Sequence, residues 1–216
     1  MSYKLAIFDL DGTLLDTLDD LTDSVNHGLE ALGLSTRTTG EIRSFIGNGS
    51  KMLISRAVPE GTDEATTNAV FDTYSEYYKT HGDIKTKPYD GIMDMLHELK
   101  KRGVRLALLS NKPDFAVQIL DKRYFDGIFD FAAGERAGIP RKPAPDAIFK
   151  LLEDLGFESA EAVYIGDSDV DIEVADNAGM NCISVCWGFQ DRAHLEKCGA
   201  KCIVSSAAEL LAEIIK

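Results

Sequence analysis

Short apolar runs recur along the chain and alternate with segments of helical periodicity. The runs are Leu5–Phe8, Val104–Leu109, Ile128–Ala132, Ala162–Ile165, Cys182–Cys186 and Cys202–Val204. Strands that are apolar on both faces are typical of a parallel sheet covered by helices on both sides. The pattern therefore predicts an α/β fold built on a parallel sheet.

Residues 15–85 break this alternation, because they contain helical patterns and no good strand. Leucine and valine recur there at helical spacing, at Leu18, Leu21, Val25, Leu29 and Leu32. Such spacing predicts an amphipathic helix. We therefore expect an α/β core domain formed by residues 1–14 and 86–216, and an all-helical domain inserted at residues 15–85.

Polar residues follow three of the predicted strands. Asp9 comes directly after Leu5–Phe8, Ser110 and Asn111 follow the run that ends at Leu109, and Asp167 follows Gly166. Open parallel sheets bind ligands beyond the carboxyl ends of their strands. The sequence thus predicts a functional site at this edge of the sheet.

The residue types at these strand ends match the needs of phosphoryl transfer. Carboxylates are hard oxygen ligands that suit Mg²⁺ working with a substrate phosphate, and the candidates are Asp9, Asp11, Asp167 and Asp171. Gly12 allows backbone N–H groups to approach an anion closely. Thr13 and Ser110 add hydroxyl donors, and Lys142 adds a mobile positive charge. Together they describe a site that neutralises and transfers a phosphoryl group.

Each of these residues also has a plainer interpretation when it is taken alone. Asp-Gly is a common turn, Ser110 can simply end a strand, and Lys142 can be surface charge. The acids of the later pair can complement a helix N-terminus. The joint occurrence of these residues at three strand ends favours a chemical site.

Such a site suggests a two-step reaction. One aspartate attacks phosphorus and forms an aspartyl-phosphate. A second aspartate protonates the leaving oxygen and then activates water for hydrolysis.

Charge and composition limit the partners of the protein. The 216 residues carry a net charge of −13, from 23 basic and 36 acidic side chains. This balance disfavours nucleic acid and anionic membranes as partners. No apolar run approaches transmembrane length, and no small-residue cleavage site follows the first residues. We therefore expect a cytoplasmic protein without nucleic-acid or membrane partners.

The four cysteines are Cys182, Cys186, Cys198 and Cys202. Their clustering is compatible with a zinc site, but zinc ligand pairs are usually spaced more closely. Free cysteine packs as a small hydrophobe. We expect the four thiols to serve packing, without metal or disulfides.

Four motifs together resemble the phosphatases of the haloacid dehalogenase superfamily that carry a helical cap. The motifs are Asp9–Thr13 (DLDGT), Ser110–Pro113 (SNKP), Lys142-Pro143 and Gly166–Asp171 (GDSDVD). The resemblance implies a Rossmann-like α/β core with residues 15–85 as the cap. It also implies that Asp9 is the nucleophile and Asp11 the general acid and base.

The resemblance assigns the remaining candidates as well. Mg²⁺ would be held by the Asp9 side chain, the Asp11 main-chain carbonyl and Asp167, with Asp171 supporting them directly or through water. The residues implied to bind phosphate are Gly12, Thr13, Ser110, Asn111 and Lys142.

Residues 88–113, residues 166–189 and the sequence Ile46–Gly49 are similar to the phosphoglycolate phosphatase subgroup. The resemblance implies a small phosphorylated metabolite as substrate, and we expect a monomer or homodimer. Arg43, Lys51 and Arg56 are candidates for a substrate carboxylate or a second phosphate, or they form a solvated helix face.

Several other functions stay open. A sugar phosphomutase, a pyrophosphatase and a 5′-nucleotidase of the same superfamily share the nucleophile and the fold. A phospho-accepting signalling domain and a catalytically inactive binding protein are further alternatives. Against a signalling domain, the second candidate strand ends in Ser110, where such a domain places an acid. Against an inactive binding protein, none of the four motifs is missing.

Overall fold

A computed structural model describes residues 3–216 and divides the chain into two compact units. The first unit runs to Leu15 and resumes at Pro88–Lys216, and the second is Asp16–Lys87. The interpretation of the second unit as a cap remains a prediction.

The first unit contains a parallel sheet of six strands. They are β1 (Leu5–Phe8), β4 (Arg105–Pro113), β5 (Phe131–Glu135), β6 (Ala162–Gly166), β7 (Asn181–Val185) and β8 (Ile203–Val204). They lie in the order β5-β4-β1-β6-β7-β8. Two further short strands, β2 (Leu15–Asp16) and β3 (Lys87–Pro88), form a separate pair. The predicted Rossmann-like α/β class is confirmed.

Helices cover both faces of this sheet. In the first unit they are α5 (Ile92–Lys101), α6 (Asp114–Leu120), α7 (Asp146–Leu155), α8 (Asp169–Asn177), α9 (Arg192–Lys197) and α10 (Ala207–Ile214), with a π-helical turn at Asp121–Phe125 and a 3₁₀ turn at Ser159–Glu161. None of the helices within residues 3–216 combines the length and apolar character needed to cross a bilayer.

The central strand β1 explains why the sheet is buried on both faces. Successive side chains of a strand point to opposite faces. Ala6 and Phe8 belong to one core cluster, which includes residues of α5 and α10. Leu5 and Ile7 belong to the other, which includes residues of α7 and α8. Because all four positions are fully buried, the run is continuously apolar rather than alternating.

The second unit is formed by α1 (Leu18–Ala31), α2 (Thr39–Phe45), α3 (Ser50–Ala57) and α4 (Glu64–His81). The buried side chains of α1 and α4 include Val25, Leu29, Val70 and Tyr74. Gly28 allows these helices to approach closely, since a Cβ at this position would lie 3.0 Å from the Val70 carbonyl oxygen.

Three predicted elements differ from the structure. The strand expected at Val104–Leu109 continues to Pro113, so Ser110 and Asn111 lie within β4 rather than after it, in the stretch where the pairing with β5 shifts its register. The strand expected at Ile128–Ala132 begins only at Phe131, because the chain first leaves the π-helical turn, and the amide of Ile128 donates to the Phe125 carbonyl. Ile128 is nevertheless buried in the core, which accounts for its apolar character. The expectation of no strand within residues 15–85 missed the two-residue strand β2 (Leu15–Asp16).

Candidate active site

The ends of β1, β4 and β6 bring the predicted polar residues together. Asp9, Ser110 and Asp167 are buried, with 9%, 5% and 2% of their surface exposed. The amide of Asp9 donates to the Ile165 carbonyl at 2.9 Å, so the chain is still held to β6 where its apolar run ends. The strand-end geometry therefore places these side chains at one edge of the sheet, as expected from the topology.

Three carboxylates form an acidic cluster at this edge. Asp9, Asp167 and Asp171 each offer one oxygen, and these oxygens all lie within 4.8 Å of one another. Oxygen ligands of Mg²⁺ lie about 2.1 Å from the ion, so opposite ligands are about 4.2 Å apart. The size of the cluster and its oxygen donors therefore fit a small divalent cation.

Lys142 supplies the ammonium that faces this cluster. Its Nζ lies 3.1 Å from Oδ1 of Asp9 and 2.7 Å from Oδ1 of Asp171. Three carboxylates facing one ammonium leave a formal charge of −2, which a divalent cation would balance. The residues present thus fit a metal in charge as well as in size.

Burial and the neighbouring charges shift the pKa values of these groups. Burial raises the pKa of Asp9 to about 6, although Lys142 opposes the shift. Burial, with Asp171 and Asp9 nearby, raises the pKa of Asp167 well above its usual range. Burial by itself would lower the pKa of the Lys142 ammonium, but Asp171 and Asp9 outweigh it and hold that pKa well above its usual range.

Asp167 is held by the segment 187–189, in which no site residue was predicted. The backbone amide of Phe189 donates to Oδ2 of Asp167 at 2.6 Å. A Cβ at Gly12 or Gly188 would overlap that carboxylate, and Gly12 also has a φ of +80°. Trp187 Nε1 donates to the Thr13 carbonyl at 3.0 Å. The segment 187–189 therefore supports both Asp167 and the turn after Asp9.

Asp171 has two functions in the structure. Its Oδ2 accepts hydrogen bonds from the Ser168 amide at 3.2 Å and from the Ser168 hydroxyl at 2.7 Å, and so caps the start of α8. Its Oδ1 pairs with Lys142. Gly166 is required beside it, because a Cβ there would overlap the Asp171 side chain.

Lys142 is itself tethered by Asn111 and Tyr164. The Lys142 amide donates to Oδ1 of Asn111, and Nδ2 of Asn111 donates to the Lys142 carbonyl, both at 2.9 Å. Lys142 Nζ donates to the Tyr164 hydroxyl at 2.8 Å. The side-chain amide of Asn111 thus binds both the N–H and the C=O group of Lys142. The binding of phosphate by Asn111 remains a prediction. Tyr164 escaped notice because it lies within an apolar strand.

Asp11 is paired with a lysine that had no assigned role. Lys112 Nζ donates to both carboxylate oxygens of Asp11, at 2.8 and 3.0 Å. The lysine side chain is only 3% exposed. Lys112 belongs to the SNKP motif, but no local pattern indicates its partner, which lies 101 positions away in the sequence.

Two buried oxygen atoms, one of Asp9 and one of Thr13, make no hydrogen bond within the described part of the chain. Among residues 3–216, Thr13 Oγ1 and Asp9 Oδ1 have no hydrogen-bond partner, although Lys142 lies close to Asp9. Buried polar atoms are normally satisfied, so these two indicate where a ligand is expected. The Gly12 amide donates to the Leu15 carbonyl, and the binding of phosphate by Gly12 remains a prediction.

Two of the three candidate cations of the second unit, Arg56 and Lys51, have contacts within that unit. Arg56 donates from Nη1 to the Phe45 carbonyl at 2.9 Å and from Nη2 to Oδ1 of Asn48 at 2.8 Å. Lys51 lies over the ring of Phe71, 5.8 Å from its centroid. Arg56 therefore supports the Ile46–Gly49 loop, and a substrate role for any of these cations remains a prediction.

Comparisons with known proteins indicate one family. The model of the family described as haloacid dehalogenase-like hydrolase matches residues 6–185. A phosphoglycolate phosphatase of Psychrobacter arcticus is 37% identical over 201 residues, which cover 88% of this chain and 86% of the relative. A phosphoglycolate phosphatase of Pseudomonas syringae pv. tomato is 33% identical over 192 residues, covering 86% of this chain and 70% of the relative.

A solved structure shares the whole fold. It is the crystal structure of a provisionally assigned phosphoglycolate phosphatase from Lactobacillus delbrueckii subsp. bulgaricus. The TM-score is 0.95 and the identity 40%, and the match covers 100% of this chain and 99% of the other.

Proposed function

The chain belongs to the haloacid dehalogenase-like hydrolase family, and we propose that it is a Mg²⁺-dependent phosphatase that hydrolyses a small phosphomonoester. One observation carries the proposal. Three buried carboxylates and one buried ammonium meet at the strand ends with a formal charge of −2, beside an unpaired threonine hydroxyl. A divalent cation and a phosphoryl group together complete such a site.

Asp9 is the nucleophile in this proposal. One of its carboxylate oxygens attacks phosphorus, the bond from phosphorus to the ester oxygen breaks, and an aspartyl-phosphate forms. Lys142, 3.1 Å from Oδ1 of Asp9, favours the ionised carboxylate that this attack needs. Water then attacks the phosphorus of the intermediate, the bond from phosphorus to the Asp9 oxygen breaks, and inorganic phosphate leaves as the Asp9 carboxylate is regenerated.

Asp11 transfers the protons of both steps. It donates a proton to the leaving ester oxygen and then accepts one from the attacking water. Asp11 lies two residues after Asp9, in the segment directly beyond β1 and immediately before the turn at residues 12–14. The backbone of this turn is held by the hydrogen bond from Trp187 to Thr13.

Asp9 and Asp167, with the main-chain carbonyl of Asp11, would hold Mg²⁺, which when bound neutralises charge on the phosphoryl oxygens. The hydroxyls of Thr13 and Ser110 donate hydrogen bonds to the phosphoryl group. Lys142 contributes its positive charge, and Asp171 keeps the ammonium directed toward Asp9.

We propose phosphoglycolate as the substrate, because the relatives with 33% and 37% identity are named phosphoglycolate phosphatase. A purified-enzyme assay of inorganic phosphate release tests this choice. We expect kcat/KM for phosphoglycolate to exceed the values for pyrophosphate, a nucleoside monophosphate and a hexose phosphate. A preferred conversion of one sugar phosphate into another, without stoichiometric phosphate release, would instead establish a mutase.

The mechanism is tested by substitution at Asp9. Asp9→Asn removes the nucleophile, and we expect turnover to fall by about 10³-fold or more. Asp169→Asn is the matched control, because Asp169 lies in the GDSDVD motif but is exposed. Full activity of Asp9→Asn, or of the wild type in excess EDTA, would contradict the proposal. A phosphorylated peptide containing Asp9 after acid quenching would support it directly.

A further inference from the structure

The end of β4 places three successive side chains on three different parts of the site. Ser110 Oγ accepts a hydrogen bond from the Lys112 amide at 3.3 Å, which shapes the turn. Asn111 clamps the main chain of Lys142. The next residue, Lys112, reaches in the other direction and pairs with Asp11. The tripeptide Ser110–Lys112 thus contains the proposed hydrogen-bond donor to the phosphoryl group, and it contacts both Lys142 and Asp11.

The contact between Lys112 and Asp11 restricts the carboxylate strongly. Both oxygens of Asp11 accept from the same Nζ, at 2.8 and 3.0 Å, which limits rotation of the carboxylate. The two side chains are 3% and 13% exposed, so bulk water competes weakly for them. Ion pairs that are buried and doubly hydrogen bonded hold their geometry better than exposed ones.

The backbone of Lys112 is also fixed. Pro113 pairs with Glu135 of β5, and a Cβ at Gly134 would overlap the Lys112 carbonyl. The close approach of β5 therefore fixes the point from which the lysine side chain extends. The lysine side chain is a flexible four-carbon chain, so a fixed main chain at Lys112 narrows the region that its ammonium can reach.

We propose that Lys112 is a positioning residue that holds the Asp11 carboxylate in place for proton transfer. The inference rests on the proposed role of Asp11 in the phosphatase reaction. Lys112 acts through Asp11 and does not bind the phosphoryl group, a task that falls to Lys142 beside Asp9. General acid–base catalysis depends on the distance and orientation of the acid, so a displaced Asp11 is a poorer catalyst.

A double-mutant cycle with steady-state kinetics tests the proposal. The variants are Lys112→Met, Asp11→Asn and their combination, assayed in saturating Mg²⁺. We expect Lys112→Met to lower kcat at least about tenfold, within the roughly 10²–10⁴-fold that acid–base catalysis supplies, with KM changed less than about threefold. In the Asp11→Asn background the same substitution should cost less than about twofold, because its target is already gone.

The choice of substrate gives a second readout. A p-nitrophenyl ester has a leaving group that needs little protonation, whereas an alkyl phosphate needs a proton. In single-turnover experiments, Lys112→Met should therefore slow aspartyl-phosphate formation more with the alkyl phosphate than with p-nitrophenyl phosphate. Lys112→Arg, which keeps the charge, should recover part of the loss, and a purely structural role would not produce this pattern.

Controls separate the possible outcomes. Lys150→Met breaks an exposed lysine–aspartate pair, whose closest contact is 3.2 Å, and should leave kinetics unchanged. If Lys112→Met does not fold, Lys112→Gln replaces it, with circular dichroism checking the fold. An equal loss in both Asp11 backgrounds, or a loss confined to KM, would overturn the proposal. Full activity of Asp11→Asn would instead contradict the proposed mechanism itself.

Discussion

The side-chain amide of Asn111 is hydrogen bonded at both ends to the main chain of Lys142, with two bonds of 2.9 Å. Both residues are buried. Asn111→Ala would leave the Lys142 amide and carbonyl unsatisfied, and each such group costs about 1–3 kcal/mol. We expect a lower free energy of unfolding in urea, and a lower kcat because the Lys142 ammonium is less well placed.

Asn177→Ala provides the control for Asn111→Ala. Asn177 donates one exposed hydrogen bond of 2.9 Å to the Pro143 carbonyl, on the same segment as Lys142. Its loss should change stability by less than about 0.5 kcal/mol. Equal destabilisation by the two substitutions would contradict a stabilising role for the two buried hydrogen bonds of Asn111.

Asp9 gives the metal-free enzyme a distinctive pH dependence. Burial raises its pKa from 3.8 to about 6, so the folded state holds this proton between those values while the unfolded state releases it. Stability therefore falls as pH rises from about 4 to 6, and the loss is complete above the folded pKa. The difference between the two pKa values corresponds to about 3 kcal/mol. Urea unfolding in EDTA across this range measures it.

Asp9→Asn removes this titration. At pH 7 the metal-free variant should be more stable than the wild type, and the two should converge as pH approaches 4. Part of the slope should persist, because burial also raises the pKa of Asp167. An unchanged difference between the two proteins from pH 4 to pH 7 would contradict this account.

The sequence predicted those parts of the fold and site that depend on local pattern. Leu5–Phe8 is apolar because both faces of β1 are buried, and Asp9 follows at the point where the strand ends. Ile128 was misassigned because burial beside a turn leaves the same apolar signal as burial in a strand. Local pattern thus identifies burial more securely than it identifies secondary structure.

The parts that escaped prediction depend on contacts between distant segments. Lys112 meets Asp11 across 101 positions, and Phe189 meets Asp167 across 22. Gly188 is needed only because Gly12 and Asp167 lie against it. No spacing rule within one segment encodes such contacts, so they become visible only when the chain is folded.

Mg²⁺ should stabilise the folded protein through the acidic cluster. A ligand that binds only the folded state at 100 times its Kd adds about 2.7 kcal/mol. We expect Asp167→Asn to abolish this increment while raising stability in EDTA, since the substitution removes a buried carboxyl group whose ionisation is unfavourable, as its strongly raised pKa indicates. Thermal unfolding with and without Mg²⁺ measures both effects. Asp169→Asn, which changes an exposed acid, should keep the full increment.

Cys182 should be the least reactive kind of thiol in the native enzyme. Burial, with Asp171 nearby, raises its pKa to about 12, and alkylation requires the thiolate. We expect iodoacetamide at pH 8 to leave Cys182 unmodified in the native protein and to label it in urea, as read by peptide mass spectrometry. Rapid native labelling of Cys182 would contradict its assignment to packing.

Gly188 should tolerate no side chain. A Cβ there would overlap both the Gly12 carbonyl oxygen and the Asp167 carboxylate, and the first of these is backbone that cannot rotate away. Gly188→Ala should therefore displace Asp167, weaken Mg²⁺ binding and lower kcat.

Gly40→Ala is the control, because Gly40 lies in α2 with its nearest neighbour 4.0 Å from the new Cβ. Alanine is favoured over glycine by about 0.8–1.0 kcal/mol in a helix interior, and Gly40 lies in the first turn of α2, so this variant should keep its stability or gain less than that amount. Isothermal titration with Mg²⁺ and urea unfolding distinguish the two, and unaltered Mg²⁺ affinity in Gly188→Ala would show that the segment 187–189 does not hold Asp167 in place.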